Sequence, residues 1–454
     1  MEWTIKLEAR TGWGEVHTHE IAVVTRRPVG LTADEVGMSL GEAKGLLAEI
    51  QRCIVSSQID EQVMCARVCA DCMGLREIRD HRTRTIQTLF GTVVVDAPRL
   101  KLCVCVDTKG FKDISISPLS ELLPDRCTPE LRRTQSELGA RHSFREAARL
   151  LATFLPCSPQ NQSSVRNRLH RTSEELEVAD CRSKAKPVSA SGAGEIVVFI
   201  DGAHIRAVPG HQSRHLDVTV GKVEARGRPP RRFGLAPKGA ERPLSNVRAA
   251  LVEQGWQPGR PVTVISDGEP ALPNLVQTAI NEPVIHILDW FHISMRIRHI
   301  EQSMAGLYAM KPANTAPLDY FAWSIDRLRH VLWNGYHEEA WQSLWDLQNV
   351  AGGIPQLNGV RFERPVQGFL RLCAELRGYI RNNEDAIVCY HQRYHDKRPV
   401  STSRAEGCVD EIANARMAKK QRMRWSPRGA HLVAQVRAAT LDGRLMPLGV
   451  QLAA

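Results

Sequence analysis

The sequence contains few aromatic residues and no long apolar segment. Phenylalanine, tryptophan and tyrosine together make up 6% of the 454 residues. No uninterrupted apolar stretch reaches the roughly 18 residues that a membrane-spanning helix needs, and residues 1–6 lack the apolar region of a secretory signal peptide. These absences argue against a membrane-spanning helix and against export, and we expect a soluble, cytoplasmic protein without a membrane partner.

Charge and length narrow the remaining classes. The chain has 60 Lys and Arg residues against 50 Asp and Glu residues, a formal charge of +10, which favours a polyanionic partner such as nucleic acid. The length suits about two to four domains. In a reducing cytosol we expect the twelve cysteines to be free thiols or metal ligands rather than disulfides.

Three apolar segments of strand length each lead into an aspartate. Residues 196–200 precede Asp201, residues 262–266 precede Asp267, and residues 284–288 precede Asp289. Asp-Gly pairs such as Asp201-Gly202 also form ordinary turns, but three repeats within about ninety residues favour acids gathered at one sheet edge. Because carboxylate oxygens are the preferred ligands of Mg²⁺, the pattern predicts a Mg²⁺ or Mn²⁺ site for phosphoryl transfer.

The order of elements around these acids predicts a ribonuclease H-like core. Residues 195–294 alternate as strand, strand, strand, helix, strand, helix, strand, which places the first acid on the first strand and the second after the fourth. Residues 295–400 are helical in pattern, and residues 401–454 complete the core. Glu406 is our preferred third acid, with Asp410 and Glu411 as alternatives on the same segment.

A basic run follows the third acid. Residues 412–440 contain seven Lys and Arg residues and no acid, which suits a phosphodiester held against metal ions. We predict DNA contacts from four of these residues: Lys419, Lys420, Arg422 and Arg424.

The N-terminal third contains a cysteine cluster. Residues 1–64 form an α+β lead-in whose long helix begins at a Ser39-Glu42 capping box. Residues 65–127 then supply two cysteine pairs that predict a zinc-ribbon-like module with a structural Zn²⁺, although loose buried thiols are the alternative. The predicted ligands are Cys69, Cys72, Cys103 and Cys105.

Residues 128–182 predict a helix-turn-helix. One helix starts at the Ser143-Glu146 capping box, residues 156–159 interrupt the pattern, and a second helix follows. That second helix carries Arg166, Arg168 and Arg171, which could enter a DNA groove or form an ordinary solvated face. Residues 183–194 have the composition of a linker.

Several of these motifs together resemble bacterial insertion-sequence transposases of the Kra type, which are similar to ISL-type and Mutator-like DDE transposases. The likeness covers nearly the whole chain. The resemblance implies catalytic, metal-binding roles for Asp201, Asp267 and Glu406, and places His204, Asp289 and His292 near the site. The motifs that carry it are Asp201-Gly202-Ala203-His204, Ser266-Asp267-Gly268-Glu269, Asp289-Trp290-Phe291-His292, and Glu406 with residues 418–431.

The resemblance implies a multidomain α+β and α/β protein whose ribonuclease H-like core contains an all-α insertion between the second and third acids. Its expected activity is metal-dependent DNA cleavage and strand transfer. The expected partners are double-stranded DNA, as transposon ends and target, and further copies of the chain in a homo-oligomer at the nucleoid. The alternatives are a domesticated, non-catalytic DNA-binding protein and a metal-dependent nuclease that does not join strands.

Overall fold

A computed structural model describes residues 1–12, 14–103, 105, 115–182, 194–236, 244–418 and 423–445, and for residues 404–406 only the backbone. The chain is a mixed α+β protein that divides into two compact units. The first comprises Met1–Thr172 with Leu445–Ala454, and the second comprises Ser173–Arg444. Most of the predicted linker, residues 183–193, lies outside the described residues. Of the helices described, none combines the length and apolar character needed to cross a membrane.

The first unit begins with a β-hairpin and a long helix. Strands β1 (Glu2–Arg10) and β2 (Val16–Thr25) pair antiparallel, with a register shift between Ile5 and Lys6. After a short 3₁₀ turn (Ala33–Glu35), α1 spans Leu40–Arg67. The Ser39 hydroxyl accepts the Glu42 N–H, and the Glu42 carboxylate accepts the Ser39 N–H, so the predicted capping box at the start of this helix is confirmed.

Short strands follow α1 and cover its apolar side. The β4-β5 hairpin forms one sheet, and β3, β6 and β7 form another. Val55 and Ile59 of α1 share a small core with Ile86, Val93 and Val95 of the hairpin. The strands are β3 (Ile78–Asp80), β4 (Thr83–Thr88), β5 (Gly91–Asp96), β6 (Arg99–Lys101) and β7 (Ser115–Ile116).

The last helices that begin in this unit pack around a small core of Ala147, Ala148 and Val165, and α5 extends past Thr172 into the second unit. A Cβ added to Gly139 would lie 3.0 Å from the Val165 side chain, so a small residue is needed where α3 meets α5. The two helices predicted in this region are both present, and α3 precedes them. The helices are α2 (Pro118–Leu122), α3 (Pro129–Arg141), α4 (Phe144–Phe154) and α5 (Gln162–Cys181).

The second unit is built on a five-stranded sheet of order β10-β9-β8-β11-β12. Strand β8 pairs parallel with β11, which pairs parallel with β12, whereas β9 pairs antiparallel with both of its neighbours, β8 and β10. The elements are β8 (Ile196–Arg206), β9 (His215–Ala225), β10 (Arg231–Leu235), α6 (Ser245–Glu253), β11 (Val262–Ser266), α7 (Ala271–Ile280) and β12 (Ile285–Leu288).

Both faces of this sheet are covered. Ile196, Val198 and Ile200 of β8 pack in one core with α6 and α7, while Val197 and Phe199 pack in a second core with the helices that follow β12. Burial on two faces explains why the strand is a continuous apolar run rather than an alternating one. It also fixes the direction of Asp201, which shares the face of Val197 and Phe199.

A helical region follows β12, as the sequence predicts. Its core includes a stacked pair, Phe321 and Phe369, with ring centroids 4.8 Å apart. Two of its tryptophans, Trp323 and Trp345, are exposed rather than buried. The helices are α8 (Trp290–Ala309), α9 (Ala316–Trp333), α10 (His337–Gly352), α11 (Ile354–Asn358), α12 (Glu363–Asn382) and α13 (Tyr390–His395), with 3₁₀ turns at Val360–Phe362 and Glu384–Ala386.

The chain then returns to the sheet. Helix α14 (Ser403–Cys408) continues into a π-helix (Val409–Asn414) and the short α15 (Ala415–Met417). Trp425 forms a bridge with Ala207 just beyond β8. Helix α16 (Pro427–Leu441) is buried at every residue from Ala430 to Ala439 and packs against β10.

Candidate functional site

Asp201 lies in the middle of β8 rather than at its end. The sequence predicts that the strand stops at Asp201, but β8 continues to Arg206 because β9 pairs with it throughout and places Val220 opposite Asp201. The parallel neighbour β11 ends its pairing earlier, at Phe199. Asp201 therefore stands on the central strand just where the parallel side of the sheet opens, and Gly202 here is a strand residue, not part of a turn.

Asp267 follows β11 in a tight turn that only glycine can complete. Gly268 has a φ of +89°, and a Cβ there would lie 2.8 Å from both Asn383 Oδ1 and Leu288 Cδ1. The Asp267 side chain accepts the Glu269 N–H at 3.1 Å, and Tyr379 donates its hydroxyl to the Asp267 carbonyl at 2.7 Å. The turn thus fixes the acid at the end of the strand next to β8.

Asp289 is fully buried and serves as the N-cap of α8. It accepts N–H groups from Phe291 at 2.8 Å and from Thr402 at 3.0 Å, and it also accepts the Thr402 hydroxyl. His292 Nε2 lies 3.7 Å from its second oxygen. Because these donors occupy both oxygens, Asp289 acts as a brace between the end of β12 and the start of α14.

The acids influence one another electrostatically. Burial raises the pKa of Asp201 to about 6, and the nearby Asp267 and Asp289 carboxylates act in the same direction. The Gly202 N–H, 2.7 Å from Asp201 Oδ1, and His292 partly oppose this rise. Excess negative charge in a half-buried position is the condition under which a divalent cation binds well.

Helix α14 carries Glu406, whose side chain lies outside the described residues. The two alternative acids have partners of their own. Asp410 accepts the Asn414 amide at 2.7 Å, and Glu411 lies 3.3 Å from Arg232 Nε. Both sit in the π-helix, so the regular α-helical spacing that places Asp410 one turn beyond Glu406 does not hold there.

His204, predicted near the acids, points away from them. It is three residues beyond Asp201 on a strand without a bulge, so the alternation of side chains puts it on the opposite face. There its Nδ1 lies 2.6 Å from Asp217, and both side chains are exposed. The structure thus places Asp201, Asp267, Asp289 and His292 together and excludes His204 from their group.

Two residues near the acids have no counterpart in the sequence analysis. Arg296 lies on α8 one turn beyond His292, and its guanidinium sits 4.2 Å from the centre of the Tyr379 ring. Tyr379 comes from α12, and the contact with Asp267 described above brings it to the sheet edge. An arginine or tyrosine in a helical stretch carries no local signal of such a position, so only the tertiary structure identifies them.

The predicted basic run is only partly available to a ligand. Arg416 is fully buried and stacks on Trp425 at 5.0 Å, and Arg437 is buried and donates to the Glu411 carbonyl at 2.9 Å. Arg424 is exposed. The three remaining predicted contacts lie outside the described residues: Lys419, Lys420 and Arg422.

The four predicted zinc ligands come together in the first unit. Their sulfur atoms lie within 4.8 Å of one another, with Cys69 and Cys105 at 3.5 Å and Cys72 and Cys103 at 3.3 Å. Tetrahedral Zn²⁺ with bonds of about 2.3 Å needs sulfurs about 3.8 Å apart, so a small expansion admits the ion. The cluster could therefore bind a structural metal such as zinc.

A tight turn prepares this cluster. The Met73 N–H bonds the Cys69 carbonyl at 2.9 Å, and Met73 has a φ of +58°. The N–H groups of Cys72 and Asp71 point at the Cys69 sulfur and lower its pKa to about 6. Backbone donors that stabilise a thiolate favour metal binding, because the metal takes the deprotonated ligand.

The predicted recognition helix, α5, presents fewer free arginines than its sequence suggests. Arg168 is half-buried and donates to Gln87, Gln135 and Gln160. Arg171 pairs with Asp125. Arg166 is exposed, and its only hydrogen bonds among the described residues are 3.4 Å contacts with Asn167. Arg166 and Arg171 are thus exposed as predicted, although Arg171 is paired, whereas Arg168 supports the packing of the helix.

In the second unit, three aspartates gather at one sheet edge: on the central strand, directly after the neighbouring parallel strand, and at the start of α8. Carboxylate oxygens are the ligands that Mg²⁺ prefers, so the chemistry of these groups is compatible with a divalent cation. Compared with known proteins, the chain matches no protein-family model and no curated protein.

Proposed function

We propose that the protein is a DDE-type DNA transposase that binds the ends of its insertion sequence and catalyses their cleavage and transfer. The observation that carries this proposal is the sheet order β10-β9-β8-β11-β12, with Asp201 on the central strand and Asp267 directly after the adjacent parallel strand. This arrangement supports the proposal because it is the one expected of a ribonuclease H-like core, and the helical region between β12 and α14 would be the all-α insertion.

Asp201, Asp267 and Glu406 would hold Mg²⁺ or Mn²⁺. Bound metal would supply Lewis-acid activation of the attacking oxygen and stabilise the leaving oxygen. The donor set fits, because it consists of carboxylates, and burial together with the neighbouring Asp267 and Asp289 raises the pKa of Asp201. Asp289 would position α14 through Thr402 rather than bind metal, because its oxygens already accept N–H and O–H groups.

Phosphate groups flanking the scissile bond would contact cationic groups at the same rim. Arg296 is exposed and held by stacking on Tyr379, beside the Asp267 turn. Arg424 is also exposed, two residues beyond the part of the basic run that is not described. Both are candidates for contacts that position the DNA backbone without distinguishing its sequence.

The first unit would recognise the transposon ends. We interpret α4 and α5 as a helix-turn-helix in which Arg166 is the exposed contact, and the four-cysteine cluster as a zinc-ribbon-like module that stabilises this unit. Zinc would thus be structural, separate from the catalytic Mg²⁺.

The test uses the purified chain with duplex DNA from the sequences that flank its gene. Wild type should cleave at the element ends and join them to a target plasmid in Mg²⁺, whereas Asp201→Asn and Asp267→Asn should bind the ends with unchanged affinity and cleave at least about 10³-fold more slowly. Asp217→Asn is the matched control, because this exposed acid lies on the neighbouring strand and pairs with His204.

The outcomes separate the three functions. Cleavage without joining would favour a nuclease, and end binding without cleavage by the wild type would favour a domesticated DNA-binding protein. Cleavage by either aspartate variant at the wild-type rate would contradict the assigned metal site.

A further inference from the structure

Strand β1 is an edge strand with an unused side. In the described part of the chain its nine residues pair with β2 alone. The other edge therefore offers a row of backbone N–H and C=O groups to a further strand. A two-stranded sheet is also marginal by itself, and additional strands stabilise it.

The side chains of β1 have the pattern of a strand inside a larger sheet. Trp3, Ile5, Leu7 and Ala9 lie on one face, and the polar residues alternate with them on the other. Ile5, Leu7 and Ala9 are half-buried, and the residues between them are exposed. A strand added at this edge must continue both the apolar and the charged face, which limits the partners that fit.

The charges of β1 are complementary to those of β1 itself in one antiparallel register. The polar face carries Glu2, Lys6, Glu8 and Arg10. When two copies pair antiparallel about a two-fold axis at Leu7, Lys6 of each copy lies opposite Glu8 of the other. Opposite charges at directly facing positions stabilise a sheet, and like charges destabilise it.

Other registers that keep the apolar faces together are less favourable. A two-fold axis at Lys6 sets the two Lys6 side chains against each other, although it also brings Glu2 opposite Arg10. An axis at Ile5 sets Glu2 against Glu8, and an axis at Glu8 sets Lys6 against Arg10. Shifts by one residue would exchange the apolar and charged faces. Registers centred on Thr4 or Ala9 also pair opposite charges, but they overlap only over residues 2–6 or 8–10 of β1. The Leu7-centred register overlaps over residues 4–10 and has attractive pairs and no like-charge pair.

The two charged residues are free to make these contacts. Lys6 and Glu8 are exposed, and neither forms an ion pair or side-chain hydrogen bond within the residues that the structure covers. Glu20 of β2 lies across from Lys6 in the same hairpin, so Lys6 would sit between two carboxylates in the pair. We propose that β1 binds β1 of a second copy of this chain, antiparallel and centred on Leu7, to form a four-stranded sheet.

The full-length, zinc-loaded chain provides the test, by sedimentation velocity over a range of concentrations. Lys6→Glu and Glu8→Lys each replace two attractive pairs with two repulsive ones, so each should weaken self-association about 10- to 100-fold. The double variant Lys6→Glu/Glu8→Lys restores both pairs and should associate as the wild type does. The proposed interface contains none of the residues assigned to DNA cleavage. The result can therefore be interpreted even if the protein cleaves no DNA.

Mixing supplies a control for folding. In an equimolar mixture of Lys6→Glu and Glu8→Lys chains, every facing position is again of opposite charge, so a mixed dimer should form although neither variant associates alone. Glu2→Lys is the matched control and should associate normally, because in the Leu7-centred register Glu2 faces no residue of the second copy's β1. A wild type that is monomeric at tens of micromolar, single variants that associate normally, or a mixture that stays monomeric would each overturn the proposal.

Discussion

The two candidate metal sites differ in how closely the folded chain brings their ligand atoms together before a metal binds. In the first unit, four cysteine sulfurs lie within 4.8 Å of one another. In the second, Asp201, Asp267, Asp289 and His292 share one rim but form no such close group among the described residues, and Asp289 has its oxygens occupied by donors. The thiol site is assembled, whereas the acid site is open.

The difference follows from chain geometry and charge. Two of the thiols come from one four-residue turn, Cys69 to Cys72, and thiols can approach as neutral groups before a metal binds. The acids come from segments far apart in the chain, and as carboxylates they repel each other, which contributes to the raised pKa of Asp201. A structural site can thus be finished by folding, while a catalytic site must leave ligand positions open for substrate.

We expect the largest loss of activity from the substitution of the third acid. This acid decides whether α14 completes the metal site of the second unit. Glu406→Gln should reduce cleavage and strand transfer by at least about 10³-fold, as loss of a metal ligand does. Glu411→Gln should be close to wild type, since Glu411 pairs with Arg232, and Asp410→Asn should retain partial activity. Activity that survives Glu406→Gln but not Glu411→Gln, in a strand-transfer assay, would reassign the third ligand to the π-helix.

Removal of a thiol tests the assembled site. Cys69→Ser or Cys72→Ser should release about one zinc per chain and destabilise the first unit by several kcal/mol, because the metal contributes folding free energy directly. Zinc analysis and limited proteolysis measure both effects. Cys65→Ser is the control, since Cys65 is an exposed free cysteine four residues before the cluster. A wild-type protein without bound metal would show that these four cysteines do not form a zinc site.

We expect a smaller change in stability when Asp201 is replaced, and this change is a gain rather than the loss expected for the cysteine variants. Its pKa in the folded chain, about 6, lies above the 3.8 of an unperturbed aspartate, so without metal its contribution to stability falls as pH rises from about 4 to 6. In Mg²⁺-free buffer at pH 8, Asp201→Asn should therefore raise the free energy of unfolding by about 1–2 kcal/mol. Below about pH 4 the gain should vanish, because Asp201 is then protonated in both states.

Addition of Mg²⁺ at pH 8 should make the wild type more stable than Asp201→Asn, because Mg²⁺ stabilises only the chain that binds it. Thermal unfolding with and without Mg²⁺ measures this, with Asp217→Asn as the exposed control. No chelator is used, since it would also strip zinc from the cysteines. A loss of stability in metal-free Asp201→Asn would show that the carboxylate is a structural group.

The sequence predicts the local features of both sites but not the contacts between distant segments. Local patterns identified the acid-bearing strands, the cysteine pairs and the Ser39 capping box, because strand alternation, ligand spacing and capping act over a few residues. The sequence did not predict that Asp289 braces Thr402, that Arg168 turns inward to Gln87, or that His204 faces away from Asp201. These facts depend on contacts between distant segments, or on a strand that extends because a partner pairs with it.

The smallest expected effect concerns Arg296. No local sequence pattern marks this residue, and its role is inferred from tertiary contacts alone. The guanidinium is exposed and fixed over Tyr379, whose hydroxyl bonds the Asp267 carbonyl. Within the described residues no carboxylate pairs with it, in contrast to Arg298, which lies 3.2 Å from Glu301. Arg296→Ala should weaken end binding about 3- to 10-fold and reduce the dependence of log affinity on log salt by about one.

Arg298→Ala, two residues away and equally basic, should change neither quantity. Arg296→Lys should keep the salt dependence but recover only part of the affinity, since lysine retains the charge and loses the planar stacking that holds the group in place. Binding titrations at several salt concentrations distinguish the cases. An Arg296→Ala chain with the affinity and salt slope of the Arg298→Ala control would show that the arginine merely packs on Tyr379, and that DNA approaches the acids from another side.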